Sequence, residues 1–252
     1  MWIVFLLLLL PVLGAGWAAG RLPTRHSSRW LKPLLAFSGA YLFTLTITHI
    51  LPEALTLDPA HPHRVGYWVL AGFFGQMLLE LVSQGVEHGH VHLHPPAQGH
   101  VAGLTSRVPL GLLGALGLHS FLEGSILLVN TNLGGEVSSN FYAIAAGVAL
   151  HHMPAAFALA TLLRLRLGRT GRAWPWLVLF ALASPAGLVV GNYLVPAELL
   201  RGGLFAALLG LVAGSFLHVS TTILFETSPE HTLNWPKLAA TLMGLALALA
   251  VA

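Results

Sequence analysis

The sequence predicts an all-α integral membrane protein with eight transmembrane helices. Of its 252 residues, 56% are hydrophobic and only 8% are charged, whereas about a quarter of a typical soluble domain is charged. Apolar runs recur along the chain, and about 20 such residues are enough to cross a bilayer. We expect these runs to form one transmembrane domain, with helices near 1–20, 34–53, 66–86, 108–130, 140–165, 174–195, 202–226 and 235–252.

The first run could also be a signal peptide, but the basic segment that normally opens such a peptide is missing, which favours a true span. The charges of the loops predict on which side of the membrane each loop lies. Basic residues concentrate in the loops after the first, third and fifth spans, so these loops are expected in the cytoplasm and both termini outside. They explain the excess of positive charge without nucleic-acid binding. The residues on the predicted cytoplasmic side are Arg21, Arg25, Arg29, Lys32, Arg107, Arg164, Arg166, Arg169 and Arg172.

A short internal repeat links the second and seventh spans. Residues 48–53 read THILPE and residues 221–226 read TTILFE. The two spans run in opposite directions in the predicted topology. The pair therefore predicts an inverted repeat, in which one helix packing is reproduced upside down.

The most informative polar residues lie in the middle of apolar sequence. His119 and Glu123 stand four apart on the fourth span, so a helix presents both from one face. A charged carboxylate at mid-membrane costs about 2.5–3.5 kcal/mol on insertion scales, so it needs a partner. His151 and His152 lie on the fifth span, and one of them could join the pair in binding a divalent cation. With 14 histidines and no cysteine, a metal site here would use imidazole and carboxylate ligands.

Two further pairs lie near helix ends. His49 and Glu53 flank the outer end of the second span, and His218 and Glu226 share one face of the seventh. Each pair is compatible with ordinary solvation at the membrane interface. The alternative is a relay for cations, with the first pair on the entry side and the second pair on the exit side. Glu80, on the third span, could lie on such a path or pair with cytoplasmic loops.

The loop 87–107 after the third span is rich in histidine. Glycine and proline in this loop oppose regular structure, so we expect a flexible cytoplasmic segment that captures metal weakly. An accidental tract of histidines is the alternative. The candidate residues are His88, His90, His92 and His94.

Together these features resemble the ZIP family of divalent-metal transporters. The resemblance covers nearly the whole chain: eight spans, outside termini, a His-rich loop after the third helix, and the Leu-Pro-Glu sequence that ends the second. Its most specific element is the fourth-helix pattern His-Asn-Phe-Pro-Glu-Gly, found here as HSFLEG at 119–124. The related fifth-helix pattern corresponds to 151–156.

The chain departs from that pattern at two positions. Ala155 and Ser184 stand where many members of the family carry glutamates that help to build a two-metal centre. The resemblance then implies a single site made of His119, Glu123 and His151, which His152 could complete. It also implies a homodimer, and an elevator-like motion of helices 1, 4, 5 and 6 against 2, 3, 7 and 8.

We therefore expect an uptake carrier for Zn²⁺ or another first-row divalent metal, with no organic cofactor and no enzymatic activity. Ser120 beside His119 leaves a membrane-embedded zinc hydrolase as an alternative, although no His-Glu-x-x-His motif is present. Because Ala155 and Ser184 replace glutamates that are usual in the family, a non-transporting metal sensor is a second alternative. A cation-efflux carrier is disfavoured, since that class usually has six spans with paired His/Asp sites.

Overall fold

The protein is described here by a computed structural model. The structure describes residues 1–21, 24–83, 108–128, 141–168, 170–195, 203–226 and 234–251. These residues form eight helical segments, two of them in several parts. The helices are α1 (Trp2–Arg21), α2 (Thr24–Leu45, Thr46–Ile50 and Leu51–Leu57), α3 (Pro62–Ser83), α4 (Leu110–Ser125), α5 (Phe141–Leu167), α6 (Thr170–Ala181, Ala183–Val189 and Val190–Leu194), α7 (Phe205–Glu226) and α8 (Trp235–Val251).

Six of the helices are long and apolar enough to cross a membrane, which confirms the prediction of an all-α, multi-pass membrane protein. They comprise α1, α2, α3, α5, α6 and α7. The other two are shorter, with 16 residues in α4 and 17 in α8. At 1.5 Å per residue each reaches roughly 25 Å, slightly less than the hydrocarbon thickness.

The helices pack as two groups. In the first group α7 lies against α3 and α2, and α2 lies against α8. In the second group α1 lies against α5 and α6, and α6 lies against α4 and α5. Contacts between the groups run mainly through α2 with α5 and through α3 with α4. The two groups correspond to the sets of helices that the family resemblance implies, and a movement of one set against the other stays a prediction.

Glycines bring the backbones of α3 and α7 into direct contact. A Cβ atom at Gly72 would overlap the carbonyl of Leu211, and one at Gly214 would overlap the carbonyl of Val69. Small residues allow such close approach in membranes, where packing replaces the hydrophobic effect as the main source of helix association. The first group is therefore closely packed where α3 and α7 cross.

The crossing of α4 and α6 is equally close. Gly124 faces the backbone of Ser184, and Gly187 faces the backbone of Phe121. Asn192 on α6 donates hydrogen bonds to the carbonyls of Leu127 and Leu188. It thereby satisfies a backbone acceptor just beyond the end of α4, where unsatisfied groups are costly.

A π-helical turn at Thr46–Ile50 interrupts α2. Pro52 has no amide proton to donate to the carbonyl four residues earlier, which opens the α-helical ladder at this point. Threonine hydroxyls at 44, 46 and 48 bond back to carbonyls of the preceding turn. The matching segment 221–226 is α-helical, so the local geometry of the two segments differs and the inverted repeat stays a prediction.

The contact between α3 and α7 can be tested with two glycines on one helix. Gly72→Ala should lower the free energy of unfolding by about 1–3 kcal/mol, because the new methyl group would overlap backbone atoms of α7. Gly75→Ala is the control, since a Cβ there meets nothing within 4 Å. Thermal unfolding of the purified protein in detergent compares them. Equal midpoints for both variants would contradict the close packing.

Candidate metal centre

The centre is built around the carboxylate of Glu123. Only 1% of this residue is exposed. Among the helices of the second group, α1, α4, α5 and α6, it is the one acidic residue in the sequence. The α-helical spacing places His119 one turn away, with Nε2 at 2.9 Å from Oε1 of Glu123. The predicted pairing of the two residues on one helix face is therefore present.

The fifth helix supplies two more imidazoles. Nε2 of His152 lies 2.8 Å from the second oxygen of Glu123, Oε2. Ligand atoms of His119, Glu123 and His151 lie within 4.8 Å of one another. The ring centroids of the three histidines are 5.7–6.1 Å apart, and all three side chains are buried. His151 and His152 are adjacent on α5 and therefore point in different directions, yet each has a ring nitrogen near the carboxylate of Glu123.

This arrangement has the donor chemistry of a zinc site. Three imidazoles and one carboxylate are ligands that Zn²⁺ accepts, usually in tetrahedral geometry. Ca²⁺ and Mg²⁺ prefer six or more oxygen ligands, which this cluster does not offer. A divalent cation among these groups would also balance the buried negative charge of Glu123.

Two polar residues behind His119 were not predicted from the sequence. The Ser215 hydroxyl on α7 lies 3.3 Å from Nδ1 of His119 and donates to Oε1 of Gln76 on α3, at 3.1 Å. Both side chains are buried. Gln76 could have been noticed as an isolated amide in an apolar span, whereas nothing in the sequence marks Ser215.

One of the two exit candidates, His218, has a partner on α3. His218 contacts Glu80 on α3, with Nε2 at 2.6 Å from Oε2, and Phe73 packs edge-on against its ring. The hydroxyl of Thr222 donates to the His218 carbonyl. The side chain of Glu226 lies outside the described part of the structure. Glu80, which the sequence left undecided, is thus the described partner of His218.

The entry candidates do not pair in the described residues. His49 lies in the π-helical turn, where Nδ1 is 2.6 Å from the Thr48 hydroxyl, and no ion pair joins it to Glu53. Glu53 is exposed. The π-helical turn changes the angular register, so a four-residue separation no longer aligns the two side chains as it does on a regular helix. His88, His90, His92 and His94 lie outside the described residues.

Ser120 is not placed as a serine nucleophile. Its hydroxyl lies 3.2 Å from Nε2 of His152, the same nitrogen that contacts Glu123. A Ser-His-acid triad needs the serine and the acid on opposite nitrogens of the imidazole. Ser120 is therefore not part of a Ser-His-acid triad; the zinc hydrolase considered from the sequence, in which the histidine cluster activates water, does not depend on one.

Metal binding at the centre can be tested through stability. Zn²⁺ at 100 times its Kd should stabilise the wild-type chain by about 2.7 kcal/mol. Glu123→Gln should remove most of this gain, because the amide keeps the shape of the side chain but not its charge. Asp58→Asn, a similar change in the loop between α2 and α3, should keep it. Thermal unfolding with and without Zn²⁺ provides the measurement, and an undiminished shift in Glu123→Gln would exclude the centre.

Comparison with known proteins identifies relatives over most of the chain. The zinc transporter ZupT of Corynebacterium efficiens is 30% identical over 216 residues, covering 81% of this chain and 80% of its own. The zinc transporter ZIP1 of Danio rerio is 25% identical over 240 residues, covering 79% and 75%. No protein-family model matches the chain.

Both relatives are transporters by name, so the prediction that the chain is not an enzyme is confirmed. The identity to ZupT extends over four-fifths of both sequences, and the all-helical membrane architecture agrees with it. The chain belongs to the ZIP family of metal transporters.

Proposed function

We propose that the protein carries Zn²⁺, or a similar first-row divalent metal, across the membrane into the cytoplasm. The cation would bind to His119, Glu123 and His151, with His152 completing the coordination shell. The single observation that carries this proposal is the convergence of three buried imidazoles on one buried carboxylate. The names of the two relatives, both zinc transporters, support zinc as the cargo.

We further propose one metal site per protomer rather than two. Ala155 and Ser184, the positions where the family resemblance expects carboxylates, are buried and carry no charge. A second cation beside the first would have to share the one carboxylate of this group of helices. Electrostatic repulsion between two divalent ions then favours single occupancy.

The topology of eight spans with both termini outside and a cytoplasmic His-rich loop remains part of the proposal. It rests on eight helical segments in the described residues and on the distribution of arginine and lysine between loops. In this orientation α3 and α7 run towards the cytoplasm beyond the metal centre. Their residues Glu80 and His218 would then lie on its exit side, with Glu226 further on.

Alternating access is proposed as motion between the two groups of helices. The metal centre belongs to α4 and α5 of the second group, while the exit pair lies on α3 and α7 of the first. A shift between the groups would move the cation from one set of partners towards the other. His49 and Glu53 on α2 would serve the entry side, and a homodimer is expected from the family resemblance.

Cellular metal accumulation tests the function and its direction together. Cells that express the wild-type chain should accumulate more zinc than control cells, whereas Glu123→Ala should lose the increase. Asp58→Asn should retain it. Lower zinc in expressing cells would indicate export, and no change despite metal binding would favour a sensor. Competition by a series of divalent ions then defines selectivity.

The number of sites can be tested by adding a carboxylate. Titration calorimetry is carried out with a weak chelator, which competes for Zn²⁺ with the weak sites of the His-rich loop. It should find one tightly bound Zn²⁺ per wild-type protomer. Ala155→Glu places a second carboxylate one turn after His151 and should raise the number to two. Ala158→Glu, at a buried neighbouring position of α5, is the matched control. Two ions in the wild type, or one in Ala155→Glu, would contradict the proposal.

A further inference from the structure

We propose that Gln76 and Ser215 are positioning residues that prepare His119 to bind the cation through Nε2. This inference deepens the proposed function and rests on it, because it takes His119 as a metal ligand. It assigns a role to two buried polar side chains on α3 and α7.

The protons available to Ser215 and Gln76 determine which tautomer His119 adopts. A serine hydroxyl has one proton to donate and lone pairs with which to accept. The Ser215 proton is directed to Oε1 of Gln76, at 3.1 Å. The Ser215 oxygen can therefore approach Nδ1 of His119, at 3.3 Å, only as an acceptor. With the Gln76 amide oriented in this way, Nδ1 carries the proton.

The consequence appears on the other side of the ring. A neutral imidazole with its proton on Nδ1 has its lone pair on Nε2. Nε2 is the nitrogen that faces Glu123, at 2.9 Å. Histidines that bind metals commonly donate their second N–H to an acceptor that fixes the tautomer and the ring orientation. Here that acceptor is a hydroxyl, and a glutamine carbonyl orients it.

The acceptor lies beside the close crossing of α3 and α7. Gly72 lies one turn before Gln76, and Gly214 directly precedes Ser215. Both glycines belong to the backbone contact between α3 and α7. The hydroxyl is thus anchored by two helices of the first group, while the imidazole it orients belongs to α4 of the second.

This contact crosses the boundary between the two groups. His119 is held in its binding orientation only while the groups keep the arrangement seen here. A shift between them would separate Ser215 from Nδ1 and lower the affinity of the centre for its cation. Ser215 would then favour capture of the cation without hindering its release.

Zn²⁺ affinity of the purified full-length protein, measured by competition with a chromogenic chelator, tests the proposal. Ser215→Ala should raise Kd by about 10- to 100-fold, the range found when such partners of metal-bound histidines are removed. Gln76→Met, which keeps the bulk but loses the acceptor, should shift Kd in the same direction. Ser215→Thr retains the hydroxyl and should keep the wild-type Kd.

Ser220→Ala is the matched control. Ser220 is a fully buried serine on the same helix, and its hydroxyl has no hydrogen-bond partner among the described residues. It should bind Zn²⁺ as the wild type does and show a melting temperature similar to that of Ser215→Ala. In transport assays Ser215→Ala should raise KM and leave the maximal rate unchanged.

The outcomes separate this inference from the proposed function. Wild-type Kd in both Ser215→Ala and Gln76→Met would overturn the positioning role, even if transport is confirmed. A parallel loss of affinity in Ser215→Thr would also overturn it, because a retained hydroxyl should suffice. If the wild type binds Zn²⁺ but moves none, the proposed function fails while the positioning role can still be measured from Kd.

Discussion

A carboxylate enclosed by apolar helices must have its charge balanced, and Glu123 imposes this requirement on the second group of helices. Its two oxygens are contacted by His119 and His152, and His151 lies within reach of the same point. Metal binding uses the neutral form of each imidazole, and in that form the rings carry no charge that could balance Glu123. A divalent cation supplies that charge and uses every donor, so the cluster is best suited to binding one.

Two close helix crossings position the helices that carry these donors. Gly124, directly after Glu123, lets α4 lie against the backbone of α6. On the opposite side, Gly72 and Gly214 let α3 and α7 meet closely and present Ser215 to His119. Close backbone contact at two crossings limits how far either set of donors can drift. The proposed movement between the two groups would take place at the boundary between them.

The contact at the centre of the candidate site was easier to predict from the sequence than the contacts around it. The four-residue spacing of His119 and Glu123 on an apolar span indicates a shared face, and the geometry agrees. Contacts between residues far apart in the sequence have no comparable pattern. Ser215 contacts His119, 96 positions away in the sequence, and Glu80 contacts His218, 138 positions away. His49 and Glu53 are four positions apart, but the π-helical turn before Pro52 alters the regular helical spacing between them.

X-ray absorption spectroscopy at the zinc edge tests the central claim most directly. The sample is the purified chain lacking residues 88–100, loaded with one Zn²⁺ per protomer, so that the His-rich loop cannot contribute. We expect four nitrogen and oxygen neighbours near 2.0–2.1 Å, with outer-shell scattering from two or three imidazoles that is lost in Glu123→Gln. A six-coordinate, water-like shell without imidazole scattering, or a spectrum unchanged by Glu123→Gln, would contradict it.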